Sequence, residues 1–364
     1  MSIVIENLCH VYGKGTPFLV EALKDEYAVM VAKNGYSCLR LAGGEHPPDA
    51  ILLDVTMPGI DGYEVCRRLK ADPATRNIPV LFITGQTDAG SEARGLELGA
   101  MDYITKPFQP LLVKTRVRNQ IELKKHRDQL DLLVHARTAQ LSLTQEVTIE
   151  AMAALAEWRD PETGGHIKRT QHYVRTLAEH MAELPGYQRI LSRNMIEMLY
   201  LSAPLHDVGK VSTPDSILFK AGPLTPEEFE QMKLHTVHGR DLLSAAERRL
   251  GSDSFLRIAH DIAYCHHERW DGKGYPRGIR GEAIPLSARL MSVADVYDAL
   301  TSRRVYKPAL PHEEVVSIIC AGRNTQFDPD VVDAFIATGE TFRDIARRFA
   351  DEDTLEKALN APGE

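Results

Sequence analysis

Short apolar runs alternate with amphipathic stretches over about the first 120 residues of the chain. Each run has the length of a buried strand and is followed by turn residues or by apolar positions at helical spacing. This alternation predicts parallel strands joined by right-handed helical crossovers, which together form a doubly wound α/β sheet. The strand candidates are Ser2–Ile5, Ala50–Leu53, Val80–Ile83 and Asp102–Ile104.

The stretch from residue 112 to 157 contains no glycine or proline and predicts one long linker helix. Leu123 and Leu130 are seven residues apart, and Val134 follows Leu130 by four. Leu141 follows Val134 by another seven, although polar residues interrupt the repeat. The spacing favours a short coiled-coil seam and therefore a homodimer. The alternative is a single amphipathic helix that packs on its own domain.

From about residue 146 to 340 the pattern is almost wholly helical, which predicts an all-α domain. The chain should therefore divide into residues 1–120, a helical linker at 121–145, a helical domain at 146–345, and a C-terminal helix and tail at 346–364. The predicted helices are 167–184, 193–206, 225–248, 253–267, 286–302, 312–321 and 329–337.

Composition narrows the class of protein. With 43% hydrophobic and 26% charged residues among 364, the chain is typical of a soluble globular protein. Its net charge of −8 argues against a nucleic-acid partner, and no apolar stretch or signal segment indicates a membrane or export. We therefore expect a cytoplasmic protein. Its scattered cysteines form no CxxC pair and predict reduced thiols: Cys9, Cys38, Cys66, Cys265 and Cys320.

Three residues at the ends of predicted strands are suited to accepting or binding a phosphoryl group. Asp54 can accept a phosphoryl group when a divalent cation neutralises the incoming charge, while Thr84 and Lys106 can hold phosphoryl oxygens. Together with the segments 52–59 and 105–108, they resemble the response-regulator receiver family. The resemblance implies a flavodoxin-like domain, phosphorylation at Asp54, and a sensor histidine kinase as phosphodonor.

The receiver resemblance has one departure. Receivers end their first strand with two acidic residues that bind magnesium, whereas the corresponding pair here is Glu6-Asn7. One carboxylate and one amide bind a hard cation more weakly than two carboxylates. The alternative is therefore a receiver retained as a docking or dimerisation module.

Imidazoles and carboxylates recur through the predicted helical domain. Such ligands suit Fe, Mn, Ni, Zn or Co, and their number exceeds the needs of one tetrahedral ion, so a cluster of two or three divalent ions is indicated. Asp207 is suited to bridging two ions. Lys210 follows it by three residues and can meet a phosphate oxygen or form a structural salt bridge. The candidates are His166, His206, Asp207, His235, His266, His267 and Asp295.

These residues fall in motifs that resemble the HD-GYP family of the HD hydrolase superfamily. The matching segments are 162–166, 206–210, 232–235, 266–272, 274–276, 294–300 and 327–329. The resemblance implies hydrolysis of cyclic di-GMP to pGpG or onward to GMP, with the seven candidates as metal ligands. It adds Glu162 as a ligand of a third ion, and it favours His235 over the neighbouring His238.

For the substrate, the resemblance points to Tyr275, Arg304 and Lys307, against the alternative that each is a surface residue. The expected reaction is attack on phosphorus by a metal-bridging hydroxide, with Lys210 beside a non-bridging oxygen and Asp207 as a proton acceptor. Two alternatives stay open: a hydrolase of another cyclic dinucleotide such as cyclic GMP-AMP, and a non-enzymatic cyclic di-GMP sensor or interaction protein. Diguanylate cyclases and other signalling proteins are candidate partners.

Overall fold

The structure is a computed structural model that describes residues 8–11, 16–57, 59–85, 95, 97–107, 109–157, 165–250, 254–302 and 309–359. The chain divides into two compact units, Met1–Gln140 and Leu141–Glu364. Among the described residues, no helix combines the length and the apolar character that a membrane crossing needs.

The first unit contains a five-stranded sheet of order β2-β1-β3-β4-β5 in which every pair is parallel. Its central strands β3 and β4 are buried along their whole length because helices cover both faces of such a sheet. The predicted doubly wound α/β fold is confirmed. The strands are β1 (Leu8–Val11), β2 (Val29–Ala32), β3 (Ala50–Asp54), β4 (Val80–Thr84) and β5 (Asp102–Thr105), with helices α1 (Thr16–Leu23), α2 (Gly35–Ala42) and α3 (Gly62–Ala71).

The strand prediction is incomplete at the start of the sheet. The prediction missed β2, a four-residue edge strand that is too short to show a clear alternation. The predicted strand Ser2–Ile5 lies outside the described residues, in which the first strand is Leu8–Val11. The pair Glu6-Asn7 lies outside them too, so its place after the first strand stays a prediction.

The predicted linker helix is confirmed as α4, Pro110–Glu157, a single helix of 48 residues. Its first part contributes Val113 and Val117 to the core of the first unit, and its last part contributes Ile149 to a core cluster of the second. The side chains of the predicted seam are exposed: Leu123, Leu130 and Val134 each by 60% and Leu141 by 70%.

The second unit is mostly helical, as predicted. Two predicted helices are interrupted: 225–248 breaks at Leu234, and 193–206 ends at Ser202, where short 3₁₀ turns follow at Ala203–Leu205 and Val208–Ser212. The α-helices are α5 (His166–Ala182), α6 (Arg193–Ser202), α7 (Asp215–Leu218), α8 (Pro226–Lys233), α9 (His235–Leu250), α10 (Phe255–Cys265), α11 (Leu286–Thr301), α12 (His312–Ala321), α13 (Pro329–Ala337) and α14 (Gly339–Leu359).

An aromatic core fixes α5 against α11. Tyr173 of α5 stacks on Phe342 with ring centroids 4.5 Å apart, and Tyr297 of α11 meets the edges of both rings at 5.2 and 5.1 Å. Aromatic pairs of this geometry add stability beyond the area they bury. This packing holds the two helices so that His166 of α5 and Asp295 of α11 lie close together.

Candidate metal centre and substrate cleft

The sequence pattern suggested that His206 and Asp207 belong to a continuous α-helix. In the structure they lie between the two 3₁₀ turns. In 3₁₀ geometry residues three apart are eclipsed, so Lys210 lies over Asp207. The Lys210 Nζ atom is 2.9 Å from Asp207 Oδ2. The expected proximity of Lys210 and Asp207 is therefore present, although a tighter helix produces it.

A first donor group is formed by His166, His206 and Asp295, with one potential ligand atom from each lying within 4.8 Å of the others. His166 is the first residue of α5, and its Nε2 atom is 3.3 Å from His206 Nε2 and 3.9 Å from Asp295 Oδ1. Three distant segments of the chain thus meet at one point.

A second donor group is formed by Asp207, His235, His266 and His267, again with ligand atoms within 4.8 Å of one another. The Asp207 Oδ1 atom is 3.3 Å from His235 Nε2 and 3.6 Å from His266 Nε2. His235 begins α9, and His266 follows α10, so the ends of two packed helices supply this group.

Asp207 connects the two groups. While its Oδ1 faces His235 and His266, its Oδ2 is 3.4 Å from His206 Nε2. The two oxygens of one carboxylate therefore face different donor groups, which is the arrangement that a bridging ligand needs.

Four imidazoles have a fixed tautomer, assigned from their hydrogen bonds. In each ring Nδ1–H donates to a protein oxygen, which leaves the Nε2 lone pair directed at the cluster, as in metal-binding histidines. The pairs, with their N···O distances, are His166 with Asp298 (2.8 Å), His206 with the Ala203 carbonyl (3.0 Å), His235 with the Met232 carbonyl (2.7 Å) and His266 with the Ile262 carbonyl (3.0 Å).

These donor groups fit divalent cations. With hydrogens at Nδ1, the Nε2 lone pairs of His166 and His206 oppose each other at 3.3 Å, which is unfavourable unless a cation lies between them. In the second group, Asp207 Oδ1, His235 Nε2 and His266 Nε2 are buried without a hydrogen-bond partner among the described residues. Buried polar atoms rarely stay unsatisfied, so such a cluster calls for a metal.

Burial and neighbouring charges set the protonation of the second group. Burial lowers the pKa of His235 to about 4, and burial with the adjacent His266 holds the pKa of His267 well below its usual value. Burial opposes the ionisation of Asp207, but Lys210 and His206 keep its pKa well below the ordinary range. Neutral imidazoles around an ionised carboxylate are the forms that bind metals.

The pKa of His206 shifts in the opposite direction to the pKa values of His235 and His267. Burial favours the neutral ring, but Asp207 outweighs burial and raises the pKa of His206. Metal binding at this ring therefore competes with a proton.

Asp298 was not among the predicted site residues, yet it orients one of them. It is buried, accepts the Nδ1–H of His166, and pairs through both oxygens with Arg169 at 2.7 and 3.0 Å. Its position three residues after Asp295 on α11, hence on the same helix face, was the available signal. Asp298 and Arg169 fix the ring that begins α5.

A cleft with a volume of about 320 Å³ opens beside the donor groups and is lined by His266, His267, Asp295 and Tyr275, among others. The Tyr275 ring lies 4.8 Å from that of His267. The loop that carries Tyr275 is held by Glu268, whose buried carboxylate accepts the backbone N–H groups of two later residues at 2.7 and 3.1 Å.

Glycine is required at position 274 because this loop folds back on itself. A Cβ atom at Gly274 would lie 2.4 to 2.5 Å from backbone atoms of residues 267–269. The loop is therefore packed against the backbone of residues 267–269, and its residue Tyr275 lines the cleft.

Several predicted residues cannot be placed. Glu162, Arg304, Lys307 and Glu6 lie outside the described residues. His238 belongs to neither donor group, in agreement with the preference for His235.

The predicted receiver site assembles at the ends of β3, β4 and β5. Asp54 and Thr84 are buried, and Lys106 Nζ forms an ion pair with Asp54 Oδ2 at 2.7 Å. The register sets His10 of β1 beside Leu52, so Val11 ends the strand next to the Asp54 end of β3. The residues that follow, 12–15, include no acid, so an acidic pair for magnesium is missing from this stretch of sequence.

Comparison with known proteins assigns both units. The HD domain model matches residues 143–331, and the response regulator receiver domain model matches residues 16–118. The chain belongs to the HD-domain family. It also carries a receiver domain, and the resemblance to receiver-linked HD-GYP proteins is confirmed.

Relatives of this HD-domain protein carry two kinds of name. It is 45% identical over 93% of its length to a "probable cyclic di-GMP phosphodiesterase" of Vibrio cholerae, covering 78% of that protein. It is 36% identical over 83% of its length to a cyclic di-GMP phosphodiesterase response regulator of Xanthomonas campestris, again covering 78%. A 3'3'-cGAMP-specific phosphodiesterase of Vibrio cholerae is 36% identical over 55% of this chain, which covers 36% of that protein.

Gly209 should be indispensable for the second donor group. A Cβ atom there would lie 1.9 Å from the His235 carbonyl oxygen and 2.4 Å from the Gly239 nitrogen, both backbone atoms. Gly209→Ala should therefore force α9 away from Asp207, lower Tm, and reduce bound metal at least about tenfold, since overpacking typically destabilises by about 1–3 kcal/mol. Calorimetry and elemental analysis measure both effects. Gly222→Ala, where no atom lies within 4 Å, is the control, and equal behaviour of the two variants would refute the argument.

Asp298→Asn should weaken metal binding by removing the charge that orients His166. Loss of such an outer partner typically lowers metal affinity about 10- to 100-fold. The control is Asp333→Asn. Asp333 forms a similar bidentate ion pair with Arg323, but on the exposed surface. Competition with a chelating dye measures the affinities. Wild-type affinity in Asp298→Asn would contradict the orienting role.

Proposed function

We propose that the protein is a metal-dependent phosphodiesterase that hydrolyses cyclic di-GMP to pGpG, to GMP or to both. The observation that carries the proposal is the pair of donor groups joined by Asp207 beside a cleft. Relatives named cyclic di-GMP phosphodiesterases, of which the chain covers more than three quarters, support the substrate.

We assign the metal ligands as His166, His206, Asp207, His235, His266, His267 and Asp295, with Glu162 as an additional ligand if a third ion binds. Fe, Mn, Ni, Zn and Co all suit this mixture of imidazoles and carboxylates. When bound, divalent ions supply Lewis acidity and make hydroxide available near neutral pH.

The side chains around the donor groups have separate tasks. Lys210, beside Asp207 Oδ2, presents its ammonium group to a non-bridging phosphate oxygen. Asp207 is also proposed as the proton acceptor for the attacking water, a task for which its lowered pKa makes it a weak base. Burial raises the pKa of Tyr275, which keeps its hydroxyl protonated as a hydrogen-bond donor to the substrate. Arg304 and Lys307 remain proposed substrate contacts.

Two alternatives predict different results. A cyclic GMP-AMP hydrolase would share the metal chemistry, but relatives with that name match smaller parts of the chain, and at lower identity, than the first relative above. A cyclic di-GMP sensor would bind the dinucleotide without cleaving it. The complete donor groups favour hydrolysis over sensing.

Anaerobic turnover with Fe-, Mn-, Ni- and Zn-loaded protein tests the proposal, with products separated by chromatography. We expect cleavage of cyclic di-GMP with at least one metal and a higher kcat/KM than for cyclic GMP-AMP. His206→Ala and Asp207→Asn should lose about 100-fold or more. His260→Ala is the control, because this ring bonds to Asp261 outside both donor groups. Binding without cleavage would establish the sensor instead.

For the first unit we propose Asp54 as the phosphoacceptor, with Thr84 and Lys106 holding phosphoryl oxygens and a histidine kinase as phosphodonor. We also propose a homodimer through the exposed seam of α4, which a monomer in sedimentation equilibrium would contradict. The division into receiver (1–120), linker (121–145), phosphodiesterase domain (146–345) and C-terminal segment (346–364) is part of the same proposal.

Because acids are missing after β1, acetyl phosphate should label Asp54 slowly. Val11→Asp supplies a carboxylate at the end of β1 and should speed labelling, while Val11→Asn controls for polarity. Asp54→Asn should block labelling in each background. Equal rates in wild type and Val11→Asp, read on phosphate-affinity gels, would refute the importance of the missing acids.

A further inference from the structure

Helix α8 is unusual for a helix of a globular domain because none of its residues is buried. It directly precedes α9 and its ligand-type residue His235. Caps hold it in place: the Thr225 side chain accepts the Glu228 N–H, and Glu228 accepts the Thr225 N–H and pairs with Lys220. Short helices without core packing are marginal in water, so local bonds stabilise this one.

The aromatic residue of this helix is Phe229, and 45% of its surface is exposed. It does not fill a core, but it lines the same cleft as Tyr275 and the donor groups. The centroids of the Phe229 and Tyr275 rings are 6.2 Å apart, and the rings are nearly perpendicular, at 80°. An exposed ring at the mouth of a substrate cleft is suited to contacting a ligand.

Lys233 lies one helical turn after Phe229 and places a cation beside both rings. Its Nζ atom is 4.9 Å from the Phe229 centroid and 5.5 Å from that of Tyr275. The Lys233 ammonium group also forms an ion pair at 2.6 Å with Glu230, whose side chain is 70% exposed. The wall of the cleft thus combines two aromatic rings with an ammonium group.

This combination matches one nucleotide of a cyclic dinucleotide. Tyr275 lies beside His267, so a phosphodiester held at the donor groups adjoins the Tyr275 side of the cleft. Phe229 lines the same cleft with its ring centroid 6.2 Å from that of Tyr275, so a base of the same dinucleotide can reach it. Aromatic rings stack on nucleobases, and ammonium groups bind phosphate oxygens or purine carbonyl oxygens.

We infer that Phe229 is a substrate-positioning residue that stacks on a purine base of the dinucleotide, with Lys233 binding a phosphate or carbonyl oxygen of the same nucleotide. The inference rests on the proposed function, because it concerns the same cleft. It assigns α8 the task of holding the substrate, while the donor groups carry the chemistry.

The test compares KM and kcat for cyclic di-GMP in the metal-loaded, full-length protein. Phe229→Ala should raise KM about tenfold, within the range found for loss of one stacked base, and change kcat much less. Phe229→Tyr should restore most of the affinity, whereas Phe229→Leu, which is apolar but lacks a π face, should restore little. Lys233→Gln should raise KM in the same direction. Phe219→Ala is the matched control, since that ring is 50% exposed and does not line the cleft.

Elemental analysis of the metal-loaded variants separates base binding from damage to the site. Phe229→Ala should hold as much metal as the wild type, and a loss of metal that matches its loss of turnover would overturn the inference. An unchanged KM for cyclic di-GMP would do so as well.

The inference can also be tested if the proposed function fails. If the wild type binds cyclic di-GMP but cleaves nothing, the same variants are compared by calorimetric Kd. A roughly tenfold weaker Kd for Phe229→Ala would then support the stacking role. An equal Kd, or no binding by the wild type, would overturn it.

Discussion

The arrangement of the second unit depends on the Asp207 carboxylate, which is buried between two sets of imidazoles. An ionised carboxylate in such a place is costly unless positive charge surrounds it. Lys210 pairs with one oxygen, and the other faces two Nε2 atoms without a hydrogen bond. The packing of α9 against the 3₁₀ turn at Gly209, and of α5 against α11, brings the donor groups to this carboxylate.

Much of this site could be predicted from the sequence because its residues come in contiguous pairs. His206-Asp207 and His266-His267 are doublets that surface chemistry does not explain, and both contribute to the cluster. Asp298 was missed because its task is to orient His166 across 132 positions of sequence. The contact itself leaves no local pattern in the sequence, and the one available signal is the position of Asp298 three residues after Asp295.

The fold was predicted in outline for similar reasons. Apolar runs such as those of β3 and β4 are unmistakable because both faces of these strands are buried. The edge strand β2 lacks that signal, because its residue Val31 is exposed. The first 3₁₀ turn before His206 contains Pro204, which has no backbone N–H to continue an α-helix, and the second turn packs closely on α9 at Gly209.

The protein thus has two sites in separate units: the candidate phosphorylation site around Asp54 on the parallel sheet, and the candidate metal site around Asp207 among helices. Helix α4 contributes residues to the core of each unit. Within the second unit, Ile149 of α4 packs in the same cluster as Leu205 and Val208, which flank His206 and Asp207. Ile149 therefore connects α4 to the segment that carries the central carboxylate.

Metal content per chain tests the central claim most directly, namely that two donor groups share Asp207. Elemental analysis should find at least two ions in the wild type and one fewer in His166→Ala and in His267→Ala, each of which alters a single group. Asp207→Asn should reduce both. A single ion in the wild type, or one that is lost alike in every variant, would contradict the account.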